Sequence, residues 1–212
     1  MRNRVFLVAA VGLAAVLVAG GLFASNMGFK LNFLLEGPVT TATGTTVMSL
    51  PYNPQTNITN AETLIDDIEA ANPGTVSSVS RFDTASNGLI TYTGSAGTNF
   101  PITKAEGYLA AVTSPIQYII VGSHDPGHVI NFATGTQIWS YPYHSTLTTA
   151  EGLIDEIELV APVISSVSRF DTASNGLITY TGSAGTNFPL TPGEAYHVAA
   201  EAPVNGYVPS HY

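Results

Sequence analysis

The run from Ser77 to Pro101 returns without a change from Ser165 to Pro189. A stretch present twice in one chain predicts the same local structure twice, so the repeat dictates two copies of one unit. The likeness extends outward. Gly44-Thr45-Thr46-Val47-Met48-Ser49-Leu50-Pro51-Tyr52 matches Gly135-Thr136-Gln137-Ile138-Trp139-Ser140-Tyr141-Pro142-Tyr143, and Val121-Gly122-Ser123-His124 is echoed by Val208-Pro209-Ser210-His211. A unit of roughly 80 residues sits near the size at which core burial is only just sufficient, so the two units are expected to pack on each other or on neighbours.

Each unit opens on a β-rich run stopped by proline. A short helix follows. Asn60 and Thr149 are its expected N-caps, and Glu62 and Glu151 suit the positive helix start. Leu64, Ile65 and Ile68 share one face, as do Leu153, Ile154 and Ile157, and Pro73 and Pro162 end the pattern. The identical segment then reads as a hairpin: strand Ser77 to Phe82, turn Asp83 to Gly88, returning strand Leu89 to Thr93. Further strands are expected at Tyr108 to Thr113 and Ile116 to Val121. The fold class is therefore α+β and strand-rich, two tandem β-α-β-β-β-β modules preceded by an N-terminal amphipathic strand.

The start of the chain has the form of an export signal. Met1-Arg2-Asn3-Arg4 is basic, and Val5 to Ala24 is apolar without a charge. Cleavage between Ala24 and Ser25 is preferred; the alternatives are cleavage after Gly20 or Gly21, or an uncleaved anchor, since the run just reaches spanning length. The early Glu of a type IV pilin is missing from it. The expected divisions are a signal at 1–24, an N-terminal strand and linker at 25–43, module 1 at 44–124, a connection at 125–134 and module 2 at 135–212. In the second segment Met27, Phe29, Leu31 and Phe33 alternate with small or polar residues, the period of a strand with one buried face. No hairpin partner adjoins it in sequence. It is expected to pair with a sheet edge, its own or another subunit's, and these four residues form the candidate self-association strand.

Composition excludes several functions. The chain lacks cysteine, which removes disulfides, thiolate metal sites and cysteine nucleophiles. Its net charge is −9, and without Arg2 and Arg4 it becomes −11, so nothing can neutralise a run of phosphates and a nucleic-acid partner is excluded. Charged residues are only 10%, against about 25% in ordinary soluble domains, which predicts a polar, weakly charged surface.

The chemistry-bearing residue types form no catalytic pattern. Asp83 with Asn87-Gly88, and Asp171 with Asn175-Gly176, could approach a calcium ion but match a hairpin turn better. Two copies cannot close a kelch propeller. His124-Asp125-x-x-His128 lacks a third ligand at a recognisable spacing, and His144, His197 and His211 stand apart. Arg81 and Arg169 are two of only four basic residues left after signal removal; each could bind an acidic ligand or pair with a helix carboxylate, and pairing is the simpler expectation. No nucleophile elbow is present. No catalytic residue, cofactor or metal is assigned, and an enzyme is not expected.

Leu50-Pro51-Tyr52, Ser78-Val79-Ser80-Arg81-Phe82-Asp83, Thr91-Tyr92-Thr93-Gly94, Phe188-Pro189-Leu190-Thr191-Pro192-Gly193-Glu194-Ala195-Tyr196 and Val121-Gly122-Ser123-His124-Asp125, taken in succession, resemble a tandem module of uncharacterised exported bacterial surface proteins. The leading Ser25-Asn26-Met27-Gly28-Phe29-Lys30-Leu31-Asn32 and the closing Pro209-Ser210-His211-Tyr212 resemble that group too. Copy 1 departs from the pattern at Lys104-Ala105-Glu106-Gly107, where copy 2 has Pro192-Gly193-Glu194-Ala195. The resemblance implies a surface protein of structural or binding type and carries no catalytic residues.

The expectation from these residues is a secreted or cell-surface structural protein that self-associates by strand pairing into a homo-oligomer or polymer such as a filament. The alternative is a secreted module that binds a glycan or another surface ligand. Contact with a membrane would come only through an uncleaved signal.

Overall fold

The computed structural model describes residues 28–38 and 44–211. The expected signal segment and Met27 lie outside them. The fold is strand-rich, with several antiparallel sheets.

In chain order, β1 (Phe29–Leu35), β2 (Gly44–Ser49) and the two-residue β3 (Asn53–Pro54) precede α1 (Ala61–Glu69). Then come β4 (Val76–Asp83), β5 (Gly88–Tyr92), β6 (Gly107–Val112) and β7 (Ile116–Ser123). The second half has β8 (Ile130–Phe132), β9 (Gly135–Ser140), α2 (Ala150–Glu158), β10 (Ile164–Asp171), β11 (Gly176–Tyr180), β12 (Ala195–Ala200) and β13 (Val204–Tyr207).

Two four-stranded sheets share one order, β2-β6-β4-β5 and β9-β12-β10-β11. Registers agree as well: Met48 faces Tyr108 as Trp139 faces Tyr196, and Arg81 faces Ile90 as Arg169 faces Ile178. Each helix starts where a side chain satisfies an otherwise unpaired backbone donor. The Asn60 carboxamide accepts from Thr63 N at 2.9 Å, and Thr149 Oγ1 accepts from Gly152 N at 3.1 Å. Ala61, Leu64, Ile65 and Ile68 bury one helix face, and Ala150, Leu153, Ile154 and Ile157 bury the other.

The helix acids are anchored locally. Asp67 accepts from the Tyr118 hydroxyl at 2.6 Å and Glu156 from the Tyr207 hydroxyl at 2.8 Å. Burial, and then the neighbouring carboxylate, push both phenols well above their usual range.

The sequence treats the N-terminal strand as a segment ahead of the repeat, with module 1 starting at Gly44, and leaves its partner open. β1 pairs antiparallel with β7 along its whole length, from Phe29 opposite Gly122 to Leu35 opposite Ile116. The physical reason is a match of two alternations. Leu31, Phe33 and Leu35 are buried along β1, and Ile116, Tyr118 and Ile120 along β7, so the pairing puts both apolar sets on one face. A counterpart exists in the second half. β8 pairs with β13, where Ile130 faces Tyr207 as Phe33 faces Tyr118, and Phe132 faces Val204 as Leu35 faces Ile116. The stretch 125–134, expected to be a plain connection, therefore contains a strand.

The halves meet about an internal pseudo-two-fold axis. Bridges join Met48 to Glu194 and Glu106 to Trp139, which are equivalent pairs with the copies exchanged. Ser49 Oγ donates to the Tyr141 carbonyl at 3.4 Å, and Ser140 Oγ donates to the Leu50 carbonyl at 3.1 Å. Both serines are fully buried. Val47, Ile138 and Ala195 form the apolar centre of this junction, and Phe82, Leu109 and Phe170 pack against it. Gly107 has to be small: a Cβ there would come within 2.4 Å of Ala195 Cβ and 2.5 Å of Ile138 Cγ2.

Candidate functional site

Of the residues expected to form a self-association strand, Phe29, Leu31 and Phe33 are engaged inside the chain. Leu31 and Phe33 are buried, Phe33 stacks on Tyr118 with centroids 5.9 Å apart, and Phe29 stacks on Tyr143 of the other half at 4.4 Å. Phe33 and Leu31 also lie against Gly193. The apolar face of β1 thus binds one half to the other, and among the described residues no strand pairs with its outer backbone edge. β1 ends its sheet, whose order is β1-β7-β3. On the outward face Leu34 is 55% exposed, diagonal to Ile119 at 49%.

Three imidazoles that sequence keeps apart come together beside this strand. The His124 ring lies 5.0 Å from His144 and 5.2 Å from His211. His124 and His211 each follow the serine that closes a copy, so the pseudo-symmetry brings them together. Burial, and next the neighbouring imidazoles, hold His124 and His144 below the ordinary histidine range. His128 turns elsewhere and meets Tyr52 edge-on at 5.2 Å. Among the described residues no group of three His, Asp or Glu side chains has metal-holding geometry.

The hairpin loops are turns. Asp83 Oδ2 accepts from Ser86 N at 3.1 Å and from Ser86 Oγ at 2.6 Å, and Asn87 takes a left-handed φ of 50°. Asp171 and Ser174 repeat the arrangement, with Asn175 also at 50°. The Ser86 and Ser174 hydroxyls hold these carboxyls below the usual range.

Neither arginine pairs with a helix acid. Arg81 Nη1 stands 3.9 Å from Glu106 Oε1, and Arg169 forms no ion pair among the described residues. Each guanidinium lies over a phenyl ring of its own copy, Arg81 at 5.9 Å from the Phe100 centroid and Arg169 at 5.8 Å from Phe188. Each also lines a cleft where the halves meet. The Arg81 cleft is about 550 Å³ and has walls from both copies, including Phe82, Lys104, Glu106, His128 and Gln137. The Arg169 cleft is about 270 Å³, with Glu36, Asn32, Pro192 and Glu194 in its lining. Sequence reasoning did not find these clefts, because each needs wall residues from both halves. The signal that pointed to a difference was the change from Pro192 to Lys104.

No protein-family model, curated protein or solved structure matches the chain.

Proposed function

We propose that the protein is exported and acts outside the cell as a structural subunit, built from two tandem β-α-β-β-β-β modules that each carry a preceding strand, and that it self-associates through strand pairing. The observation that carries this reading is the outer edge of β1, which has no strand partner among the described residues and is bordered by exposed Leu34 and Ile119. An edge strand with unpaired backbone groups is a template for another chain, and charged residues are the usual protection. β1 has a single one, Lys30.

β8 is the pseudo-equivalent edge in the other half, and among the described residues it too pairs on one side only. A body with two such edges does not stop at a dimer, because each added molecule presents another edge, and the product is a polymer. By contrast β5 and β11 are part-covered by their own following loops, where Thr98 N donates to the Thr91 carbonyl and Thr186 N to the Thr179 carbonyl.

Sedimentation and electron microscopy of the mature protein test this. Wild type should form oligomers or filaments as concentration rises, and Asn32→Lys with Leu34→Lys should return it to monomers with an unchanged circular dichroism spectrum. Wild-type protein that stays monomeric at high concentration sinks the proposal, as does assembly that survives both lysines. A second reading, a module that binds a surface ligand, is favoured by the larger cleft.

A further inference from the structure

We propose that the Arg81 cleft binds a small carboxylate-bearing molecule of the size of an acidic sugar, with the carboxylate on the Arg81 guanidinium. This is independent of assembly at β1, and it gives the second reading its ligand class.

Arg81 is an under-used donor group. Its side chain is only 25% exposed, its Nε is shielded from solvent without an acceptor, and the one carboxylate in ion-pair range, Glu106, is 3.9 Å away, beyond hydrogen-bond range. A guanidinium nitrogen withdrawn from water without an acceptor is costly, and a carboxylate is the acceptor that fits the planar fork through two parallel bonds. Glu106 does not fill this role, because its other oxygen accepts the Tyr108 hydroxyl at 2.9 Å, which holds the carboxylate toward that phenol.

The surroundings suit a ligand that is anionic at one end and polar elsewhere. At about 550 Å³ the cleft falls in the range of small-molecule sites. Lys104 provides a second cation; it reaches Asp125 at 3.1 Å and remains 44% exposed, so an exposed ion pair of little worth is all that an incoming anion must compete with. Val129, 48% exposed, gives the lining an apolar spot for a ring face.

The Arg169 cleft is the internal control. It has the same arginine over the same kind of ring, yet about half the volume, proline in place of Lys104, and Glu36 as an added acid. Enlargement and added positive charge occur together, on the Arg81 side alone.

Titration of the full mature chain with glucuronate, followed by NMR and calorimetry, is the test, with glucose and inorganic phosphate as comparisons. Glucuronate should bind saturably and shift the Thr84 and Gln137 signals, while glucose and phosphate do not. Arg81→Lys keeps the charge but removes the fork and should weaken binding by roughly tenfold or more at an unchanged melting temperature. Lys104→Pro, the residue of the other copy, should weaken it by a smaller factor. Arg169→Lys and the doubly substituted β1 edge should bind like wild type. The proposal is overturned by absence of saturable glucuronate binding to wild type, by wild-type affinity in Arg81→Lys, or by phosphate binding as tightly as glucuronate.

Discussion

The sheet that β1 completes and the ribbon that β8 completes show how differently two copies can use one design. β1 matches β7 over seven consecutive pairs without an irregularity. β8 has three residues, and its pairing with β13 slips between Val204 and Tyr207, where Gly206 takes a φ of 85°. Both nonetheless keep an aromatic on the partner strand that reaches a helix carboxylate, Tyr118 to Asp67 and Tyr207 to Glu156. The tether to the helix is common to both copies, while the length of the ladder is not.

Substitution at equivalent positions tests that comparison. Phe33→Ala should cost about 3–5 kcal/mol by removing a buried ring from a full ladder. Ile130→Ala, its counterpart on β8, should cost about 2 kcal/mol, the low end for such truncations, because fewer pairs depend on it. Denaturant unfolding of both variants measures the gap, and equal losses would mean that the ladders bear equal weight.

The next effect lies at the pseudo-two-fold axis. Gly107 and Ala195 are equivalent positions in contact across it. Gly107→Ala should destabilise by about 1–3 kcal/mol through overpacking. Adding Ala195→Gly should recover the part that comes from the Ala195 contact and leave the part that comes from Ile138 Cγ2. A double variant no better than the single one would show that the axis is less symmetric than its hydrogen bonds.

A third contrast is His197 against Leu109, again equivalent. His197 packs near Phe82 of the other half, and burial holds its imidazole down at about 4, below the ordinary 6.5. The unfolded chain therefore takes up the proton first: stability is complete above the unfolded value and is lost as pH falls toward the folded one. Between pH 7 and pH 5 the loss is about 2 kcal/mol. His197→Leu should remove that part of the pH dependence and leave the smaller part from His124 and His144, which has the same sign. A melting temperature with unaltered pH dependence in His197→Leu would contradict this.

The smallest difference should be none. Asp83→Ala and Asp171→Ala break the same turn bonds on identical segments, so each should lower stability slightly and by equal amounts. Unequal costs, read from the same unfolding curves, would show that the surroundings reach into the hairpin.

The caps, helices and hairpins are legible in sequence because their determinants are local: Asn60 and Thr149 before an apolar face, and Asp83 three residues before Ser86. β8 was not legible, since three residues with two buried positions make no pattern. The place of β1 was equally hidden, because its partner lies most of a module away and alternation specifies a buried face without specifying which edge supplies it. The clefts and the histidine junction arise only when the halves are apposed. Val47 and Ile138 read as ordinary strand positions until the axis brings them together.

The reciprocal bonds of Ser49 and Ser140 make this chain a dimer whose partners are covalently joined. In a true homodimer every substitution appears on both sides of the axis, so a residue that suits one side must suit its image. Joined partners escape that rule. Met48 can face one bridge while Trp139 faces the equivalent one, and a lysine can line one cleft while a proline lines the other. Asymmetry became available here one position at a time, at no cost in dissociation, because the second half is always present at the concentration of the first.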